Sequence, residues 1–246
     1  MTPLPVRTST SQPLIVAEPE RPFWGFGEVL VVIAVFFVAQ GIAGAMALRY
    51  ERMAPSGLFL LVQECLAYVA VFAVLALLFA RYRQPLLRSL AWIKQPFRPA
   101  HLVTAGVVLS LLTVIMEQLL RTPNVQTPFE KLLVDPLSRI AIALFGVTFA
   151  PAIEELLFRG LLQPVMIEAA GVLPGIIITS LIFGAVHLIQ NAFIWQSGVL
   201  IAFVGFVLGT VRHISGSTRA SAIVHAAYNS IPCIALLLTG GQTVHR

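Results

Sequence analysis

A series of long apolar stretches runs through most of this chain and limits the folds that it can adopt. A helix needs about 20 apolar residues to cross a bilayer, where every backbone polar group must be satisfied internally. Seven stretches meet that length: residues 26–48, 58–80, 101–120, 138–158, 172–190, 194–211 and 219–238. The sequence therefore predicts an all-α fold, a polytopic transmembrane helix bundle of about seven to eight spans.

Composition excludes the other broad classes. Hydrophobic residues make up 58% of the chain and charged residues 11%, whereas soluble globular domains have roughly 25% charged residues. The net charge is +5 at pH 7, but the basic residues are scattered and form no basic stripe. Lipid headgroups are therefore the expected partner, and no nucleic acid is expected.

The chain divides into four predicted segments. Residues 1–25 are rich in Pro, Ser and Thr and are predicted to be a flexible N-terminal tail rather than a signal peptide. Residues 26–137 hold the N-terminal transmembrane helices and an interfacial segment, in which "PFEKLL" is predicted to lie along the membrane surface. Residues 138–238 form a core that contains most of the polar groups able to carry chemistry, and residues 239–246 form a C-terminal tail.

The basic residues predict the orientation of the bundle. The loop after the second span carries Arg81, Arg83, Arg88, Lys94 and Arg98. If that loop is cytoplasmic, the inner side has ten basic residues, with Arg159, Arg212 and Arg219 among them, and the outer side has six. This bias predicts a cytoplasmic N-terminus. The expected location is a bacterial-type cell (plasma) membrane.

The stretch "PAIEELLFRG" places ionisable residues inside an apolar region, where each is costly and is by default a functional candidate. Glu155 and Arg159 are four residues apart and share a helix face, so they are expected to pair. Glu154 lies about 100° around the helix and remains available for other work. The alternative for the Glu155–Arg159 pair is a purely structural clamp between helices.

Two further motifs follow on separate predicted helices. "FGAVH" contains His187, and "HAAYN" contains His225 and Asn229 on one helix face. Each group alone could be a structural hydrogen-bonding residue. Together with Glu154 they could form a carboxylate–imidazole site that activates water and stabilises an oxyanion. Glycines at 205 and 209 on the intervening span would allow the helices to approach closely.

The ordered set "EELLFR", "FGAVH" and "HAAYN" resembles the EExxxR, FxxxH and HxxxN motifs of the CPBP family of CAAX prenyl proteases and bacteriocin-processing (Abi) proteins. The resemblance covers roughly residues 138–238. It implies an intramembrane endopeptidase in which Glu154 and His187 activate water. It also implies that His225 and Asn229 stabilise the oxyanion, while Glu155 and Arg159 support the site.

The resemblance leaves the catalytic type open between a metalloprotease and a metal-free glutamate-type protease. No HExxH pair is present, and both histidines lie on different helices, which favours the metal-free type. A divalent metal such as zinc stays an alternative, with Glu154, His187 and His225 as its ligands.

Two other classes of function compete with the protease. One is a non-catalytic membrane immunity or scaffold protein of the same family, against which the complete set of motif residues argues. The other is a transporter of small solutes or protons that uses Glu64 and Glu117, against which the absence of internal repeats argues. The expected partner is a membrane-associated peptide or protein substrate, and its identity, any prenyl group on it and the oligomeric state stay open.

Overall fold

The computed structural model of this chain is a bundle of α-helices, and it describes residues 22–50, 56–123, 135–188 and 191–239. In chain order the helices are α1 Phe26–Tyr50, α2 Ser56–Arg81, α3 Leu86–Ser89, α4 Pro99–Leu119, α5 Pro136–Val147, α6 Phe149–Glu155, the π-helical segment Leu156–Leu162, α7 Gln163–Ala170, α8 Val172–Leu188, α9 Trp195–Ser215 and α10 Thr218–Thr239. The all-α prediction is confirmed. Most of the predicted N-terminal tail, the "PFEKLL" piece and the C-terminal tail from residue 240 lie outside the described residues.

Six helical stretches among the described residues are long and apolar enough to cross a membrane: Phe26–Met46, Gly57–Arg81, Pro99–Leu119, Pro136–Ala170, Trp195–Ser215 and Thr218–Thr239. The predicted span 172–190 corresponds to α8, which is a shorter apolar helix of 17 residues. At 1.5 Å per residue it is about 26 Å long, slightly less than the roughly 30 Å of a hydrocarbon core. The chain is a multi-pass integral membrane protein.

The predicted end of the fourth span at residue 158 is wrong, because the helical stretch continues to Ala170. The helical stretch has two irregular turns within it. A break at Thr148 precedes Pro151, and the π-helical segment precedes Pro164. Proline has no N–H to donate to the carbonyl four residues earlier, so each ring disturbs the preceding turn. These irregular turns set the directions in which the motif side chains point.

Close helix contacts hold the C-terminal half together. The helices pack in the pairs α8 with α9, α4 with α10, α7 with α8 and α5 with α10. At Gly106 of α4, a Cβ atom would lie against the backbone carbonyl of Val224 and 2.6 Å from Cβ of Ala227. At Gly184 of α8, a Cβ atom would lie 2.6 Å from the carbonyl oxygen of Gly198. Glycine at these positions lets the helix backbones touch, as small residues do in other membrane bundles.

The basic loop after α2 packs against the start of α10, so its basic residues lie at the same end of the bundle as Arg212 and Arg219. Thr218 donates its backbone N–H to the carbonyl of Ala91 at 2.9 Å, and its hydroxyl to the carbonyl of Leu90 at 2.7 Å. Arg159 is an exception to the predicted distribution. It is fully buried inside the bundle and does not belong to the surface charge on that side.

Candidate active site

The four residues predicted to carry the chemistry come together at one cavity of about 510 Å³ inside the bundle. Glu154 reaches it from α6, His187 from α8, and His225 and Asn229 from α10. Apolar side chains form most of the remaining wall. The complete lining is Leu60, Leu61, Glu64, Tyr68, Ile142, Phe145, Gly146, Ala150, Glu154, Phe183, His187, Ile201, Val204, His225, Tyr228 and Asn229. Polar groups at this depth are therefore enclosed by protein rather than by lipid.

Glu155 points away from the cavity into a fully buried ion pair. Its Oε1 lies 3.0 Å from Nη1 of Arg159 and 3.0 Å from Nδ1 of His225. Both Glu155 and Arg159 have no exposed side-chain surface. The pair has the four-residue spacing that predicted it, and it also holds the ring of a histidine on α10 in place.

Arg159 and the next residue on its face bind the backbone of α9. Arg159 donates from Nη2 to the carbonyl of Gly205 at 2.9 Å, and Gln163 donates from Nε2 to the carbonyl of Gly209 at 3.0 Å. A Cβ atom at Gly209 would lie 3.0 Å from Oε1 of Gln163. The two predicted glycines thus allow close approach and supply carbonyl acceptors. The ring of Phe183 covers the guanidinium of Arg159 at 4.4 Å, within the range of a cation–π contact.

Glu154 faces the two histidines. Its Oε2 lies 3.8 Å from Nε2 of His187 and 3.9 Å from Nε2 of His225. The side chains of Glu154 and His187 each keep 19% of their surface exposed, whereas His225 keeps 6%. These distances exceed those of direct hydrogen bonds and leave room for an intervening group.

Both imidazole rings are anchored through Nδ1. His187 Nδ1 lies 2.8 Å from the carbonyl oxygen of Phe183, and His225 Nδ1 lies 3.0 Å from Oε1 of Glu155. Because a carbonyl or carboxylate oxygen only accepts, each Nδ1 is assigned the hydrogen, and a neutral ring then has a lone pair at Nε2. Glu154 Oε2 and Nε2 of a neutral His187 are then two acceptors that face each other across 3.8 Å. A water molecule is able to bridge them because it donates two hydrogen bonds.

Asn229 lines the cavity, whereas Asn191, four residues after His187, does not. Asn229 donates one amide N–H to the carbonyl of Gly146 at 2.8 Å, while its side chain lines the cavity. An amide has two N–H groups, so one of them is available to a ligand. Asn191 donates to the carbonyl of His187 at 2.9 Å and is not among the residues that line the cavity. Its role is to fix the backbone after α8.

Glu64 and Tyr68 of α2 also line the cavity, although neither belongs to the three motifs. Oε1 of Glu64 accepts a hydrogen bond of 2.9 Å from Nε2 of Gln40. Glu64 could be noticed in the sequence as an ionisable residue within a predicted span. Nothing in the sequence, however, indicated that α2 packs beside the helices that carry the motifs. Glu117, the other carboxylate of the transporter hypothesis, is exposed on α4 and does not line the cavity.

The zinc alternative named Glu154, His187 and His225 as ligands. Their donor atoms, a carboxylate oxygen and two imidazole nitrogens, are of types that bind zinc, and tetrahedral ligands at zinc distances lie about 3.4 Å apart. Here the separations are 3.8 and 3.9 Å. Among the described residues, no group of three or more His, Cys, Asp or Glu side chains is arranged to hold a metal ion.

Comparison with known proteins agrees with the motifs. Residues 136–231 match the family model described as type II CAAX prenyl endopeptidase Rce1-like. No curated protein and no solved structure matches the chain. The matched segment begins with α5 and ends within α10, so it contains all four predicted catalytic residues. Residues 136–231 are therefore similar to the Rce1-like family, which is consistent with the CPBP family that the three motifs resemble.

Proposed function

We propose that this protein is an intramembrane endopeptidase, similar to CAAX proteases, that hydrolyses a peptide bond near the membrane surface. The main support is the geometry around Glu154. The carboxylate of Glu154 faces Nε2 of both His187 and His225 at 3.8 and 3.9 Å inside one cavity. A carboxylate and an imidazole around a shared water are the groups that general-base hydrolysis requires.

In the proposed reaction, the nucleophilic water lies between Glu154 and His187 and donates to both. Glu154 accepts a proton as the water oxygen attacks the peptide carbonyl carbon, and it returns that proton to the leaving amine. The anchor from Nδ1 of His187 to the carbonyl of Phe183 keeps the other ring nitrogen directed at the water. The bundle surrounds these polar groups with protein, so they act in a lower dielectric than bulk water.

The oxyanion is stabilised by donors on α10. Asn229 offers its second amide N–H, because the first is bonded to Gly146. His225 donates from Nε2 only when both ring nitrogens carry hydrogen, since its Nδ1 is already bonded to Glu155. Preorganised donors of this kind typically contribute about 10²–10³-fold in rate.

Glu155 and Arg159 position the site without contacting substrate. Both are fully buried, and together they connect the motif helix to α9 through Gly205 and to α10 through His225. Removing Glu155 would free the ring of His225 and leave Arg159 as a buried charge without its partner. Their proposed role is therefore to hold the geometry of His225 relative to Glu154.

The test compares membranes of cells that express the wild-type protein or Glu154→Gln. Peptide termini that appear only with the wild-type protein identify cleavage products by mass spectrometry. Glu168→Gln is the matched control, because Glu168 is an exposed carboxylate of α7 outside the cavity and should leave the peptides unchanged. Identical peptides from wild type and Glu154→Gln would favour the non-catalytic immunity or scaffold function instead.

A further inference from the structure

Glu64 is a second carboxylate in the cavity that the hydrolytic reaction does not use. It lies on α2, outside the residues that match the Rce1-like family model. Leu60, Leu61 and Tyr68 form the rest of this wall of the cavity. A carboxylate in a membrane span costs free energy unless a partner compensates it, so its presence in a ligand-sized cavity calls for a function.

The contact with Gln40 explains only part of Glu64. Gln40 donates one hydrogen bond, to Oε1, at 2.9 Å, and a bond between spans could serve purely to join α1 and α2. A carboxylate can accept about four hydrogen bonds, and a neutral amide would satisfy Gln40 equally well. The contact with Gln40 therefore orients Glu64 but does not account for a carboxyl group at the cavity wall.

The other charged groups of the cavity indicate which ligand this charge suits. The described residues that line it include two carboxylates, Glu64 and Glu154, and no lysine or arginine. A cationic side chain of a bound peptide would find compensation at Glu64, in surroundings where pairing is weakly screened. An anionic side chain, or a free C-terminal carboxylate, would meet like charge without a compensating cation on this wall.

We propose that Glu64 is a specificity residue of the endopeptidase, which selects peptides that place a lysine or arginine side chain against α2 and rejects peptides that place an anion there. This assignment rests on the proposed function, because it uses the same cavity. It names the substrate class as a membrane-associated peptide with a basic residue near the cleaved bond. Specificity of this kind needs both the favourable pair and the repulsion of the wrong charge.

The test measures binding separately from cleavage. Three fluorescent leucine–alanine peptide amides, identical except for one central Lys, Gln or Glu, are titrated with full-length Glu154→Gln protein in an uncharged detergent. That background leaves Glu64 as the only carboxylate among the described residues of the cavity wall, and it prevents turnover. We expect the Lys peptide to bind at least about tenfold more tightly than the Glu peptide.

Adding Glu64→Gln should reduce the Lys-to-Glu ratio to within about twofold. The substituted amide keeps the size of the carboxylate and can still accept from Gln40, and melting temperature verifies that the fold is retained. The matched control is Glu117→Gln, which removes an exposed carboxylate outside the cavity and should leave the ratio unchanged. A ratio unaffected by Glu64→Gln, or equal binding of all three peptides, overturns the assignment. Cleavage by Glu154→Gln at the wild-type rate would instead refute the proposed function.

Discussion

Glu154 and Glu155 are adjacent in sequence, but their carboxylates lie in different surroundings. Glu154 keeps 19% of its side-chain surface exposed at the cavity, where it faces two imidazoles. Glu155 is fully buried against Arg159. The first carboxylate is placed to exchange a proton with a ligand, and the second is placed to hold neighbouring side chains. Mutations of the two should therefore have different consequences.

Glu154→Gln should leave folding intact and remove activity. The amide keeps the size and hydrogen-bonding capacity of the carboxylate but cannot accept the proton, so the cleavage rate should fall about 10²–10⁴-fold. Cleavage and melting temperature should be measured in the same detergent. Near wild-type cleavage by this variant would contradict the role of Glu154 as general base.

Arg159→Met should destabilise the protein because it leaves Glu155 as a buried carboxylate without its guanidinium partner. Breaking a buried pair in this way typically costs about 3–5 kcal/mol, which thermal unfolding in detergent would detect. The double variant Glu155→Leu/Arg159→Met removes both charges and should recover part of the stability while activity stays low. If Arg159→Met melts with the wild type, the pair does not stabilise the bundle.

Gly106→Ala should force α4 away from α10. The new Cβ would lie 2.6 Å from Cβ of Ala227 and 2.9 Å from the backbone nitrogen of Tyr228, and overpacking of this kind typically costs about 1–3 kcal/mol. Gly41→Ala is the matched control, because nothing lies within 4 Å of a Cβ there. Unfolding midpoints should fall for the first variant only. Equal midpoints would show that the α4–α10 contact yields without cost.

Exhaustive chelation should leave peptide cleavage unchanged, because the proposed reaction needs only protein side chains and water. Metal analysis of the purified protein should accompany the assay, with Glu154→Gln as the inactive reference. Activity that is lost with chelator and restored by zinc would reverse this prediction. It would also make Glu154, His187 and His225 the ligands to test.

The N-terminus should be cytoplasmic, on the same side as the basic loop. The contacts of Thr218 with Leu90 and Ala91 bring that loop to the end of the bundle where α10 begins, which gathers basic residues on one side as a cytoplasmic face requires. Fusions of a reporter that is active only in the cytoplasm, placed at the N-terminus and after residue 83, should both be active. Inactivity of both fusions would invert the predicted topology.

Much of the fold could be predicted from the sequence, because a transmembrane helix is specified locally by length and apolarity. The pairing of Glu155 with Arg159 was equally accessible, since four-residue spacing on a helix brings side chains together. The end of the fourth span could not be predicted in this way. The helix continues through a π-helical segment because neighbouring helices stabilise the turns that proline disturbs, and local apolarity carries no information about those neighbours.

From apolarity and length alone, the chain is predicted to be a helical membrane bundle. The polar side chains of Glu154, His187, His225 and Asn229 cost free energy at membrane depth, so the sequence also marks them as functional candidates. The position of both Nε2 atoms opposite one carboxylate oxygen, and of Glu64 in the same cavity, depends instead on how the helices pack. Helices far apart in sequence meet where glycines permit backbone contact and where buried hydrogen bonds select one arrangement, and those contacts are not local in the chain.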